Sequence, residues 1–276
     1  MITVFMGLIS VSMVGCNKDN DENAAYREAA KDQAEADILF SDVFNQVNLA
    51  SGQLEFDLYG PGSMKSTDDG GCATISISPF DTLNWPKTLE IDFGETNCQG
   101  VDGKYRRGMI NAVLTGRYRD SLTIVTISPE NYYVDDYKVE GLKTVTNLGH
   151  ITDGKMTFAV VVQNAVITNP YGEEFHWSSE RTRVWAEGEA TAWPIVMDDV
   201  FEISGESSGT TYKNLNFFIQ TTEPLRVERD CEWIVSGELE VTPEGYDSRT
   251  LNYGDGNCDN KANLTVNGVT YNITLP

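Results

Sequence analysis

A duplicated cysteine frame restricts the fold of this chain more than any other feature. FGETNC at 93–98 matches YGDGNC at 253–258: aromatic, glycine, acid, any residue, asparagine, cysteine. Thr88-Leu89 and Thr250-Leu251 open the two runs, and upstream CATISISP (72–79) parallels CEWIVSGELEVTP (231–243). Cys72 and Cys98 are 26 positions apart, Cys231 and Cys258 27. Four cysteines allow three pairings. Each copy reads as a strand, a proline-marked turn and a returning strand ending in Asn-Cys. An antiparallel return brings the two cysteines of one copy within the roughly 4.4–6.8 Å Cα separation that a disulfide needs. Cys72–Cys98 and Cys231–Cys258 are therefore the expected bridges, each stabilising the fold by roughly 3–4 kcal/mol through the loop it closes. A four-cysteine zinc centre needs close C-x-x-C pairs, which this sequence lacks.

Between and around these frames the hydrophobic period is two. KMTFAVVVQ (155–163) sets Met156, Phe158, Val160 and Val162 on one face. NPYGEE (169–174) supplies a turn, and FHWSSERTRVWAEG (175–188) follows as the next strand. SLTIVTIS (121–128) and LNFFIQTT (215–222) read the same way, and Asn267-Gly268 between NLTV and VTYNITL is a two-residue hairpin turn. One stretch departs from this pattern. Residues 23–50 are rich in Ala, Glu, Gln and Lys, hold no Gly or Pro, and place Ile38, Leu39, Val43 and Val47 at helical spacing. Its polar, alanine-rich first half is expected to continue a tether and its second half to dock. The expected fold is all-β: an antiparallel meander, sandwich or open roll of long hairpins over 53–276, preceded by this helix. The cysteine repeats cover about 72–118 and 231–276, and no linker divides the chain after residue 52.

The N-terminus addresses the chain. Residues 2–15 carry no charge and are too few to span a bilayer, which takes roughly 20 apolar residues. Met13-Val14-Gly15-Cys16 resembles the lipobox of bacterial lipoproteins, and the Lys18, Asp19, Asp21 and Glu22 that follow resemble the charged export tag of Bacteroidota surface lipoproteins. GRYRDSLTIVT, YYVDDYKVEGLKTVTN and LNYGDGNCDNKANLTVNGVTYNITL extend the resemblance to an uncharacterised β-rich lipoprotein family of that group. The resemblance implies a signal peptide over 1–15, lipidation of Cys16, a flexible acidic tether over 16–22 and a location on the outer membrane, exposed at the cell surface. It implies no reaction. DTL (81–83) and DSL (120–122) resemble the short O-glycosylation motif of the same group, with Thr82 and Ser121 as acceptors. An even cysteine count in an exported chain agrees with the disulfides.

Chemistry is sparse. The chain holds 42 acidic residues against 20 basic, a formal charge of −22, which repels phosphate backbones and excludes nucleic-acid binding. There is no H-E-x-x-H, glycine-rich phosphate loop or EF-hand spacing. His150 and His176 are the two histidines, and both read as structural. The adjacent pairs Asp135-Asp136 and Asp198-Asp199 point to opposite faces of an extended chain and do not converge. No cofactor is expected. Calcium is the candidate ion, at Asp255, Asn257 and Asp259 in the stiff turn YGDGNCDN, where turn chemistry alone also explains the residues. The best binding face is Trp177, Arg181, Arg183 and Trp185, aromatics beside arginine on one side of a strand, with a structural arginine ladder as the alternative. The expected function is that of a lipid-anchored binding or adhesion module for a glycan or a protein. An envelope glycan hydrolase with a carboxylate pair, or a structural part of a surface assembly, are the alternatives.

Overall fold

The structure, a computed structural model, describes residues 18–59, 72–191, 197–266 and 268–275. Cys16, the signal peptide and Asn267 lie outside these. Among the described residues one helix is followed by fourteen strands. The helix α1 runs Lys18–Tyr59. The strands are β1 Thr74–Ser78, β2 Lys87–Asp92, β3 Cys98–Gln99, β4 Tyr105–Leu114, β5 Ile124–Val134, β6 Tyr137–Thr152, β7 Lys155–Thr168, β8 Glu174–Glu187, β9 Val200–Thr210, β10 Asn216–Glu228, β11 Ile234–Pro243, β12 Arg249–Asp255, β13 Lys261–Val266 and β14 Val269–Thr274. Every pairing is antiparallel and almost every neighbour in the sheet is a neighbour in sequence; the short β3 pairs with β4 off the main path. The result is one open meander. The two-residue hairpin is present, with Val266 opposite Val269 and Gly268 at φ 78°.

The cysteine repeats occupy the two ends of this sheet. Cys72 and Cys98 are bridged at the base of the β1–β2 hairpin with Cα atoms 5.5 Å apart, and Cys231 and Cys258 at the base of β11–β12 at 5.8 Å. The expected pairing holds for the expected reason, since each hairpin returns its own second cysteine to the first.

The helix is longer and more deeply set than the sequence reading of 23–50. It begins in the stretch read as tether, continues through Gly52, and ends at Tyr59, just before Gly60-Pro61 in the sequence, where proline disfavours helix in the residue before it. Its alanine-rich first half docks as well as its second. Tyr26, Ala29, Ala30, Gln33 and Ala36 are buried along with Phe40, Val43, Phe44 and Val47. Small alanines let the sheet come close, so composition that looked like a solvated tether is a packing surface. Between residues 25 and 51 only Arg27, Lys31 and Ser41 are exposed, a narrow stripe on an otherwise covered cylinder.

The sheet supplies that cover by curling around the helix. Leu89 and Ile91 of β2, Ile110 of β4, Ile127 of β5, Ile167 of β7, Phe175 of β8, Ile219 of β10, Val241 of β11 and Leu264 of β13 belong to one buried cluster with the helix side chains. Curvature enters at register breaks in the middle of the sheet. At one, Gly108 (φ 87°) faces Asn131 (φ 47°), and a Cβ on Gly108 would lie 1.9 Å from the Asn131 carbonyl oxygen. At another, Gly141 (φ 131°) faces the Asn164–Ala165 backbone at 2.8 Å.

Candidate functional site

The helix lies off-centre in its sleeve. Its closest approaches are to β2, β4, β5 and β11. Toward β6–β10 it stands off, and a cavity of about 550 Å³ fills the gap. Ala34, Asp37, Ile38, Ser41, Asn45 and Leu49 line it from the helix, on the same side as the solvent stripe. Val160, Val162, Trp177, Phe201, Ile203, Leu225 and Val227 form an apolar wall opposite.

Polar side chains of the helix position this wall. The Trp177 indole N–H donates to Gln33 Oε1 at 3.0 Å, and the Ser207 hydroxyl donates to the same oxygen at 2.7 Å. Gln33 Nε2 in turn donates to Asp37 at 2.9 Å, and Arg181 clamps Asp37 through both guanidinium nitrogens at 2.7 and 3.2 Å. Asp42 accepts from Arg106 and from the Tyr132 hydroxyl, and Asp102 holds the other side of Arg106. The buried acids of the cavity are thus each engaged by an arginine.

Four cations that line the cavity, Lys104 at its side and Lys143, Arg183 and Arg229 further in, are not matched in this way. Lys143 is 8 % exposed and donates to the Phe40 carbonyl at 3.0 Å, with its ammonium 5.1 Å from the Phe44 ring. Burial, then the charge of Arg183, pushes its pKa down to about 7. Arg183 donates to the Tyr118 hydroxyl at 2.6 Å and lies against the rings of Phe201, Phe44 and Phe158 at 4.2, 4.6 and 5.2 Å. Its Nε is buried without a hydrogen-bond acceptor. Arg229 donates to Asn45 at 2.6 Å; burial and then Arg183 lower its proton affinity, while the nearby Asp199 carboxylate, not in ion-pair contact, partly offsets them. Among the described residues no carboxylate forms an ion pair with Lys143, Arg183 or Arg229. Asp230 and Glu232 also line the cavity but are exposed at its edge, and Glu228 accepts from Arg226.

The candidate binding face of β8 therefore points inward. Trp177, Arg181 and Arg183 line the cavity, whereas Trp185 packs on Phe201 and donates to Asp199 at 3.1 Å, outside it. The aromatics are buried, Trp177 to 4 % exposure, so they form a wall and not a surface platform. The sequence reading passed over Lys143, although it shares strand parity with Val139 and Val145, which point inward. Arg229 leaves β10 just after its last residue, and no periodic signal marks it.

The other candidates are dispersed. Asp255 accepts from Asn257 at 2.9 Å, and Asp259 caps the Lys261 amide at 3.1 Å, which is turn chemistry. Among the described residues no group of three or more metal-binding side chains converges. Thr82 and Ser121 are exposed on separate loops. His150 contacts Glu189 at 2.6 Å and His176 lies beside Glu174 at 3.6 Å, both well exposed. Cys16 lies outside the described residues. Comparison with models of known protein families, with curated proteins and with solved structures finds no match to this chain.

Proposed function

We propose that this chain is an exported lipoprotein, anchored through a lipid on Cys16 to the surface of the outer membrane, that works as a binding module with the helix–sheet cavity as its site. The cavity carries this reading. Its volume of about 550 Å³ falls within the range of roughly 300–1,000 Å³ of small-ligand sites, and its apolar wall with a few convergent polar groups matches their make-up. A rigid sleeve braced at both ends by disulfides preorganises such a site, and two disulfides agree with an oxidising compartment. The sequence led to a glycan or a protein as ligand; an inward, lined cavity favours one end of a glycan over a flat protein face and also suits a small molecule.

The test is a thermal-shift screen of the full chain against oligosaccharides and small organic acids, repeated on Ile38→Trp. Ile38 lines the cavity from the partly exposed side of the helix, so a larger ring there fills the space with little strain on the core. A ligand that raises Tm in the parent and not in Ile38→Trp supports the reading. Equal shifts in both proteins place the site elsewhere. Protease shaving of intact cells tests the surface location, which falls if the protein is shielded until the outer membrane is opened.

A further inference from the structure

We infer that the cavity takes an amphipathic monoanion, a carboxylate carried on an apolar body. This rests on the cavity being the binding site, and it follows from where the cations are. A chain of net charge −22 has surface acids in plenty to neutralise a buried cation. Yet Lys143, Arg183 and Arg229 line one cavity with none of the described carboxylates paired to them. Burying unpaired charge is costly unless something compensates it. They also repel one another, Arg183 acting on both Lys143 and Arg229. Donors are left over at these cations: Lys143 has spent one of three N–H groups on a carbonyl, and the Arg183 Nε–H is buried with no acceptor; the Tyr253 hydroxyl of the cavity wall is also buried without a partner and can donate. An entering carboxylate supplies both the charge and the acceptors.

The rest of the wall fixes the body of the ligand. Val160, Val162, Ile203, Leu225 and Val227 offer nothing to a polar chain. The rim fixes its charge. Glu228, Asp230 and Glu232 stand at the edge of the cavity and oppose a polyanion more than a monoanion. The charged groups acting on Lys143 are Asp37 on the helix, already held by Arg181, and the two arginines Arg181 and Arg183 of β8; Asp42, Asp102, Lys104 and the segment 228–232 line the rest of the cavity. Because Lys143 is only partly protonated near pH 7, carboxylate binding draws a proton onto it and weakens as pH rises.

The experiment is calorimetric titration of the full chain carrying Cys16→Ala, which removes the lipid, with hexanoate, octanoate and decanoate at pH 6 and pH 8.5. The neutral control is 1-octanol. The expected result is one-to-one binding of octanoate, about tenfold weaker at pH 8.5 than at pH 6, with affinity rising up to about fourfold per added methylene. Lys143→Met, which replaces a poorly charged buried lysine by an apolar chain of similar length, should fold, lose about tenfold in octanoate affinity and lose the pH dependence. Arg229→Gln keeps a donor for Asn45 and should weaken octanoate several-fold. If octanol binds as tightly as octanoate at both pH values, the anion class is wrong while the cavity stands as a site. If both variants bind octanoate as the parent does, the cations are not the recognition element. If neither probe binds the folded parent, this inference falls, while the Ile38→Trp screen decides the cavity reading separately.

Discussion

Asp42 sits near the middle of α1, with Arg106 of β4 and Tyr132 of β5 closing on its carboxylate from the sheet. The Arg106 Nε lies 3.2 Å and the Tyr132 hydroxyl 2.7 Å from Oδ2. This buried cluster keys one turn of the helix to one pair of strands. Asp42→Ala takes from Arg106 its partner on the helix and leaves the Tyr132 hydroxyl without its acceptor. The expected loss is about 3 kcal/mol, at the low end for breaking a buried pair because Asp102 remains; urea denaturation measures it. Asp32, the residue before the Gln33 that closes the Trp177 network, behaves differently. Burial, with Glu28 and Glu35 nearby, raises its pKa to about 7, although the Tyr212 amide donates to it at 3.1 Å. Between pH 4 and 7 the folded chain therefore keeps a proton that the unfolded chain has released, and stability from this group falls as pH rises through that window. Asp32→Asn stays neutral and still accepts from Tyr212. At pH 8 it should be about 1–3 kcal/mol more stable than the parent, with no advantage at pH 4; melting curves at the two pH values check the sign. Neither acid was legible in sequence, because one carboxylate among 42 carries no mark of its environment and their partners lie far along the chain.

At the scale of elements, length matching explains why the helix is enclosed. A helix of 42 residues extends about 63 Å at 1.5 Å per residue, and β6 with 16 residues extends about 53 Å at 3.3 Å per residue. Long hairpins run the length of a long helix and bury it on most of its circumference. Strand positions and their inward faces were readable because the pleat imposes period two locally, as in the strict alternation of buried and exposed positions along β2. The helix extent was not, since alanine serves a solvated helix and a closely packed one equally well. The register breaks were not either, although they bend the sheet. Gly108→Ala tests that role: a Cβ would strike the Asn131 backbone, and the φ of 87° strains any other residue. A destabilisation of at least about 2 kcal/mol is expected, with weaker hydrogen-exchange protection confined at first to β4 and β5; an unchanged Tm would mean that the bulge shifts freely.

At the scale of the whole molecule, the two disulfides staple hairpins at opposite ends of the meander while the helix runs through the interior. The proposed anchor precedes that helix by two residues in sequence, so the lipid and the core are joined by almost no slack. Cys16→Ala should abolish incorporation of a palmitate analogue and release the chain from the membrane fraction; equal labelling of variant and parent would remove the lipoprotein reading. By itself the sequence determined one helix, an antiparallel β body, the pairing of four cysteines and the sharing of one strand face by Trp177, Arg181, Arg183 and Trp185. These are consequences of local periodicity and of hairpins returning on themselves, interactions between residues close along the chain. Only the tertiary structure decided that the sheet curls, that the helix lies inside and off-centre, and that Lys143, Arg183 and Arg229 share one cavity. Those outcomes depend on the sum of small bends at separated register breaks and on contacts between residues up to 221 apart, as in Tyr26 donating to the Asp247 carbonyl, where no local pattern reaches.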